Sequence, residues 1–219
     1  MNIDYSEIIK VTPFNNQKKQ KIIVIDNLLK KECVNEILKS LKKSLLVSTK
    51  VFKHNNKIIK TEYNNINKLD KNFLNLYKEL YSRRFLDILS KIFNIKKLYP
   101  DGNKLYSGIN VSNINSVLKE HIDFNFNSKL KKYRVINLLL YFNKNYQPKD
   151  GGKFYYRDSK SEKRKYINPT LNKAVIFVTN KYVPHGFTKV KKKRISLNLY
   201  YYTNKNYSLT NKKHKTIWI

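Results

Sequence analysis

The chain has 219 residues and a mass of 26.2 kDa, a length that suits one domain with a sizeable core. With 41% hydrophobic residues it has the composition of a folded protein, and it lacks a run of roughly 20 apolar residues that could cross a bilayer. The first residues lack the basic and apolar regions of a secretory signal, and one cysteine, Cys33, excludes an internal disulfide. We therefore expect an intracellular protein, cytoplasmic or nuclear, that is neither secreted nor associated with a membrane.

The formal net charge is +31, from 46 Lys and Arg against 15 Asp and Glu. Such a charge favours a polyanionic partner, for example nucleic acid. The excess of Lys, Asn, Ile and Tyr is also typical of an A/T-rich genome, such as that of a virus or a protist. Glu is A/T-favoured too, yet it is scarce, so codon bias does not explain the whole charge. Both interpretations remain open at the level of sequence.

The first half of the chain alternates one strand with helices. The β-branched run at 21–26 predicts a strand, and apolar residues spaced by three and four predict a helix over 31–46. Residues 47–67 are rich in Asn and Lys without a clear period, so we predict a variable loop with room for one short strand or turn. A second helical period covers 71–93. Residues 1–103 thus form a helical support region.

From residue 104 the hydrophobic period changes to two, which is typical of strands. Residues 104–205 therefore form a β core, and 206–219 a basic tail. The fold class is α+β and mainly β, a sandwich or jelly roll with the helices packed on one sheet. The predicted strands cover 104–111, 117–124, 135–143, 153–158, 174–179, 186–190 and 194–203.

Three residues of the β core can bind a metal ion. His121 and Asp123 alternate along one strand and therefore project to the same side, and His185 begins a later strand. Two imidazoles and one carboxylate leave open coordination positions, as in non-haem Fe(II) oxygenases. The His-x-Asp pair alone is a weak signal, and a histidine in a strand is more often an ordinary core or surface residue. The order of the motifs, with Arg194 following, favours the metal site.

Arg194 opens a strand in which apolar and polar residues alternate. If Ile195 and Leu197 fill the core, then Arg194 and Ser196 share the opposite face. The planar guanidinium can pair with one carboxylate of 2-oxoglutarate while the other end of that molecule chelates iron, and Ser196 can add a hydrogen bond. The alternative is that Arg194 is one more solvated charge after the preceding lysines.

Five blocks of the second half follow one another in a fixed order. They are His-Ile-Asp at 121–123, Asn-Leu-Leu-Leu-Tyr-Phe-Asn-Lys at 137–144, Asp-Gly-Gly-Lys-Phe at 150–154, Asn-Lys-Ala-Val-Ile-Phe at 172–177, and the strand at 194–202. Over residues 105–203 the chain resembles the prolyl 4-hydroxylase-like branch of the 2-oxoglutarate and Fe(II)-dependent oxygenases.

The resemblance implies a double-stranded β-helix with Fe(II) on His121, Asp123 and His185, and 2-oxoglutarate and dioxygen as co-substrates. It also implies that Arg194 and Tyr141 bind the remote carboxylate of 2-oxoglutarate, and that ascorbate is a possible additional cofactor. The expected reaction is hydroxylation of a C–H bond, with release of succinate and CO2. A protein side chain such as proline is the leading substrate. Two alternatives stay open: an oxygenase that modifies nucleic acid, and a basic binding module with an inactive metal site.

Overall fold

The computed structural model describes residues 1–11, 19–45, 50–54, 57–63, 65, 68–101, 107–210 and 212–219. The helices are α1 (Tyr5–Ile9), α2 (Lys31–Ser44), α3 (Lys71–Leu80) and α4 (Arg83–Phe93). The strands are β1 (Ile22–Ile25), β2 (Lys50–His54), β3 (Lys57–Tyr63), β4 (Tyr99–Pro100), β5 (Gly108–Ser112), β6 (Leu118–Ile122), β7 (Phe126–Asn127), β8 (Lys132–Tyr141), β9 (Phe154–Arg157), β10 (Arg164–Ile167), β11 (Ala174–Val178), β12 (His185–Phe187), β13 (Arg194–Thr203) and β14 (Ile217–Trp218). None of the helices in this described part is long and apolar enough to span a bilayer.

The strands form two antiparallel sheets, as expected for a double-stranded β-helix. The major sheet has the order β1-β11-β8-β13-β5-β3-β2, with β4 beside β13 and β7 beside β8. The minor sheet has the order β10-β9-β12-β6-β14. Sequence neighbours are mostly not sheet neighbours, so the chain crosses repeatedly between the two sheets. This confirms the predicted fold class.

Strand β8 contributes side chains to two hydrophobic cores, one on each face of the major sheet. It is a nearly continuous apolar run, as expected for a strand that is covered on both faces. Leu138 and Leu140 pack with residues of α2, α3 and α4, whereas Leu139 and Tyr141 face the minor sheet and pack with Phe154 of β9. The helices therefore cover the outer face of the major sheet, and the two sheets pack face to face on its other side.

Residues 50–54 and 57–63 differ from the predicted loop. They are strands β2 and β3, which pair with each other, and β3 also pairs with β5 at the edge of the major sheet. A strand at a sheet edge tolerates Lys and Asn, so its residues need not show the apolar alternation on which a prediction relies. The short strand β10 was also missed for this reason, since most of its residues are exposed.

The predicted helix over 71–93 is two helices. Ser82 accepts a hydrogen bond from the Phe85 backbone N–H and so begins α4, while α3 ends at Leu80. The apolar period continues across the break, because both helices turn the same kind of face toward the major sheet.

The segment 206–219, predicted as a basic tail, is folded against the minor sheet. The side-chain amide of Asn125 donates to the Ser208 hydroxyl, the Thr210 hydroxyl and the Lys212 carbonyl. Further along, β14 pairs with β6. Because these bonds come from a distant asparagine and a strand edge, the segment itself carries no pattern that predicts them.

Candidate active site

The predicted metal ligands meet at the inner face of the minor sheet. His121 of β6 lies directly opposite His185 of β12, and Asp123 follows the end of β6. The His121 Nε2 lies 3.5 Å from Asp123 Oδ1, and the His185 Nε2 lies 3.4 Å from Asp123 Oδ2. The three ligand atoms all lie within 4.8 Å of one another, so one ion could contact all three. The structure thus brings together residues that are up to 64 positions apart in the sequence.

Both imidazoles are held in the tautomer that a metal requires. The His121 Nδ1 is 2.9 Å from the Lys119 carbonyl oxygen, and the His185 Nδ1 is 3.0 Å from the Val183 carbonyl oxygen. Because a carbonyl only accepts, each Nδ1 carries the proton and donates it. Each Nε2 therefore keeps a lone pair directed at the shared position, the usual arrangement of a metal-binding histidine.

Asp123 is held by two buried residues of β8 that the sequence reasoning missed. Its Oδ2 accepts hydrogen bonds from Arg134 Nη2 at 3.0 Å and from Asn137 Nδ2 at 2.7 Å. Arg134 Nε also donates to the Asn137 Oδ1 at 2.8 Å, and its guanidinium lies 3.7 Å from the centre of the Tyr200 ring. Arg134 and Asn137 are three residues apart on a strand, a spacing from which the sequence does not predict that both side chains reach one carboxylate. They reach the carboxylate because the major sheet, which contains β8, packs against the minor sheet, which contains β6.

The charges of the site favour the forms that bind metal. Burial would raise the pKa of Asp123, but the charge of Arg134 holds it well below its usual value. Burial lowers the pKa of His185 to about 4, although the charge of Asp123 opposes this shift. At neutral pH the carboxylate is therefore ionised and the His185 imidazole is neutral. A set of two imidazoles and one carboxylate fits Fe(II).

Arg194 lines the same cavity, which has a volume of about 70 Å³, from the opposite sheet. Its Nη2 donates to the Tyr141 hydroxyl at 3.2 Å and its Nε donates to the Gly152 carbonyl at 3.0 Å. The guanidinium is sandwiched between aromatic rings, 4.9 Å from the centre of Tyr141 and 4.7 Å from that of Phe187. Gly152 has a φ of +57°, and a Cβ there would lie 3.0 Å from the Arg194 Cδ. The Gly-Gly turn thus permits the arginine to lie where a dicarboxylate could meet it.

Ser196 is fully buried beside this arginine, and its hydroxyl donates to the Asn198 Oδ1 at 2.7 Å. Within the described part of the chain it is Asn198, and not Ser196, that lines the cavity. The alternation predicted for β13 holds, since Leu197 and Leu199 belong to the core shared with the helices. Ser196 can therefore act on a ligand through Asn198.

Two further polar residues line the cavity, and each has one buried atom without a hydrogen-bond partner among the described residues. They are the Ser112 hydroxyl and the Asn110 Oδ1, both buried. In the sheet register Ser112 lies opposite Arg194 and Asn110 lies opposite Ser196. Buried polar atoms are nearly always paired, so these two atoms indicate a polar ligand at this end of the cavity. A carboxylate beside Arg194 would accept the Ser112 hydrogen bond, which fits 2-oxoglutarate.

Comparisons with known proteins agree with this geometry. Residues 108–202 match the family model of the 2OG-Fe(II) oxygenase superfamily. A comparison with curated protein sequences gave no match.

Among solved structures, a prolyl 4-hydroxylase from Phytophthora capsici superposes with a TM-score of 0.67 and 15% identity, covering 92% of this chain and 66% of that chain. A Pseudomonas putida prolyl 4-hydroxylase gives 0.62 and 15%, covering 84% and 92%. A prolyl hydroxylase from Trichoplax adhaerens, in complex with a hypoxia inducible factor peptide fragment, gives 0.64 and 17%, covering 87% of each chain. The chain thus spans just under two thirds of the Phytophthora protein. Residues 108–202 are therefore similar to the 2OG-Fe(II) oxygenase superfamily, for which Fe(II), 2-oxoglutarate and dioxygen are implied, and the chain has a fold like that of the prolyl 4-hydroxylases.

Proposed function

We propose that this oxygenase hydroxylates a C–H bond of a protein or peptide side chain, with proline as the leading candidate, and releases succinate and CO2. The observation that carries the proposal is one buried cavity that joins His121, Asp123 and His185 on one sheet to Arg194 on the other. A dicarboxylate co-substrate needs a metal position at one end and a cation at the other, and the lining of this cavity offers both. Iron(II) bound by the three ligands would supply the redox chemistry with dioxygen.

The chain's own residues have separate tasks in this reaction. Arg134 keeps Asp123 ionised and holds its Oδ2, so the carboxylate would be fixed in place as a ligand for a bound metal. Arg194 binds the remote carboxylate of 2-oxoglutarate, and its contact with Tyr141 orients the guanidinium. The cavity excludes water through apolar side chains, namely Leu139, Phe154, Phe177 and Phe187.

A protein substrate is favoured by the similarity of the fold to prolyl hydroxylases, one of which carries a peptide in its structure. The rival substrate is nucleic acid, and the observation in its favour is the net charge of +31. The two classes predict different stimulants of the reaction. A proline-containing peptide would accelerate 2-oxoglutarate turnover in the first case, and a single-stranded oligonucleotide would do so in the second.

The test measures succinate formation after air is admitted to anaerobic, Fe(II)-loaded protein, with peptides and oligonucleotides added in parallel. We expect turnover in the wild type, stimulation by peptide, and loss of turnover in His121→Ala and Arg194→Ala. Lys193→Ala is the matched control, because it removes the neighbouring cation, which is exposed. Stimulation by the oligonucleotide alone would replace the peptide proposal, and no succinate under any condition would refute the reaction itself.

A further inference from the structure

The minor sheet carries a row of aromatic side chains across the metal site. In its register Trp218 of β14 lies opposite His121, His121 lies opposite His185, and His185 lies opposite Tyr156 of β9. Opposed residues of an antiparallel pair point to the same face of the sheet. The two histidines are therefore flanked by Tyr156 on one side and by Trp218 on the other.

Trp218 contacts the metal ligand while part of it stays exposed. Its ring centre lies 5.1 Å from that of His121, at an angle of 41° between the ring planes. Even so, 40% of its surface is accessible. A large aromatic ring is among the side chains that gain most from burial, so an indole that is left half-exposed beside an active site is informative.

The strand that carries Trp218 is fixed before any ligand arrives. Ile217 is paired with Ile122, and the Ile219 N–H donates to the Glu120 carbonyl at 3.0 Å. Asn125 holds the segment upstream through three donated hydrogen bonds and accepts one from the His214 N–H. The indole is therefore preorganised, and binding against it requires little further ordering.

We propose that Trp218 is a substrate-positioning residue whose exposed indole surface packs against a ring-bearing residue, such as proline, of the bound peptide. This inference rests on the proposed function. The quadrupole of the indole attracts the weakly positive C–H groups of a saturated ring, and the apolar contact area adds to that attraction. Because the indole contacts His121 and lies on the same face of the minor sheet, a ring packed on it would be on the side of the sheet that carries the metal ligands, where the C–H bond must be held for hydroxylation.

The chain makes this proposal directly measurable, since Trp218 is its only tryptophan. Protein loaded anaerobically with Ni(II) and 2-oxoglutarate in place of iron cannot turn over, so binding can be followed alone. We expect Ni(II) to quench the tryptophan emission in the wild type and to leave it unchanged in His121→Ala. A saturable further change in emission should follow when poly-L-proline is added as the probe.

Calorimetry then compares variants with the same probe. Trp218→Ala should raise the Kd for poly-L-proline about 10-fold, while Trp218→Phe, which keeps a ring, should stay within about 3-fold of the wild type. Ile217→Ala is the matched control, since Ile217 lies on the same strand with 42% exposure but on the opposite face. It should leave the Kd unchanged, and the Kd for 2-oxoglutarate should change less than about 2-fold in all three variants.

The outcomes separate the two proposals. If the wild type binds neither Ni(II) nor 2-oxoglutarate, the proposed function fails and this inference falls with it. If both bind but poly-L-proline neither binds nor alters the emission, or if Trp218→Ala binds it as tightly as the wild type does, the role of Trp218 is overturned while the metal site stands. An equal loss in Ile217→Ala would also overturn it, because the effect would then come from the strand and not from the indole.

Discussion

Replacing Arg134 by methionine should weaken metal binding without removing any ligand. The change keeps the length of the side chain but deletes the cation that contacts Asp123, and it leaves the Asn137 Oδ1 without its donor. Arg134 is 3% exposed, so water cannot replace the guanidinium easily. The carboxylate would lose its orientation, and burial would then favour its protonated form.

Two magnitudes follow from this geometry. Loss of a partner that orients a metal ligand typically costs about 10- to 100-fold in metal affinity. Removing one member of a buried ion pair costs about 3 to 5 kcal/mol of folding free energy, which lowers the Tm of a chain of this size by roughly 6 to 20 °C.

The assay is a Ni(II) titration and a thermal melt of Arg134→Met beside Arg83→Met. Arg83 also pairs with an aspartate, Asp87, at 3.0 Å, but its side chain is 71% exposed. An exposed pair of this kind contributes about 0.3 to 0.5 kcal/mol. The reasoning would be refuted by equal effects in the two variants, or by an unchanged Ni(II) affinity in Arg134→Met.

Three further predictions concern the site and its support. Gly186→Ala should lower Ni(II) affinity in the same titration, because a Cβ there would lie 2.4 Å from the Leu118 carbonyl and push His185 away from β6; unchanged affinity would contradict this. Burial would raise the pKa of Glu120, but its two arginine partners, Arg157 and Arg164, lower it below its usual value. The stabilisation of the fold by these ion pairs is therefore present above a pH of about 4.5 and is lost as the pH falls through the folded-state pKa. Glu120→Gln should therefore cost about 1.5 to 3 kcal/mol in urea unfolding at pH 7 and progressively less as the pH is lowered below about 4.5, and a loss that does not change with pH would be contrary evidence. Ni(II) at about 100 times its Kd should raise the wild-type Tm by roughly 5 to 11 °C, and chelation or His121→Ala should abolish that rise.

Most of the β core could be predicted from the sequence because its strands are buried. The alternation in β13 separates Leu197 and Leu199 from the polar residues opposite them, and the apolar run of β8 marks a central strand. The edge elements could not be predicted in the same way. An edge strand is stabilised by hydrogen bonds to the neighbouring strand, as β3 is by β5, so its sequence need not show an apolar alternation.

The residues of the candidate site also fall into those that the sequence predicts and those that it does not. His121, Asp123, His185 and Arg194 belong to motifs with a recognisable order, and the structure places all four around one cavity. Asn110 and Ser112 are placed by the register of β5 against β13, and Arg134 and Asn137 by the packing of one sheet on the other, and no local pattern encodes either arrangement. Trp218 was missed for a third reason, since a short basic segment with two paired residues resembles a solvated tail.

The path of the chain between the two histidines has a consequence for the order of folding. In the sequence, strands β8 to β11 lie between His121 and His185, and they belong to both sheets. A topology dominated by such distant pairings folds slowly. The three ligands come together only after β12 has paired with β6, so during refolding the quenching of the tryptophan by Ni(II) should lag behind the formation of secondary structure. Metal binding would therefore report a late step of folding, the pairing of β12 with β6.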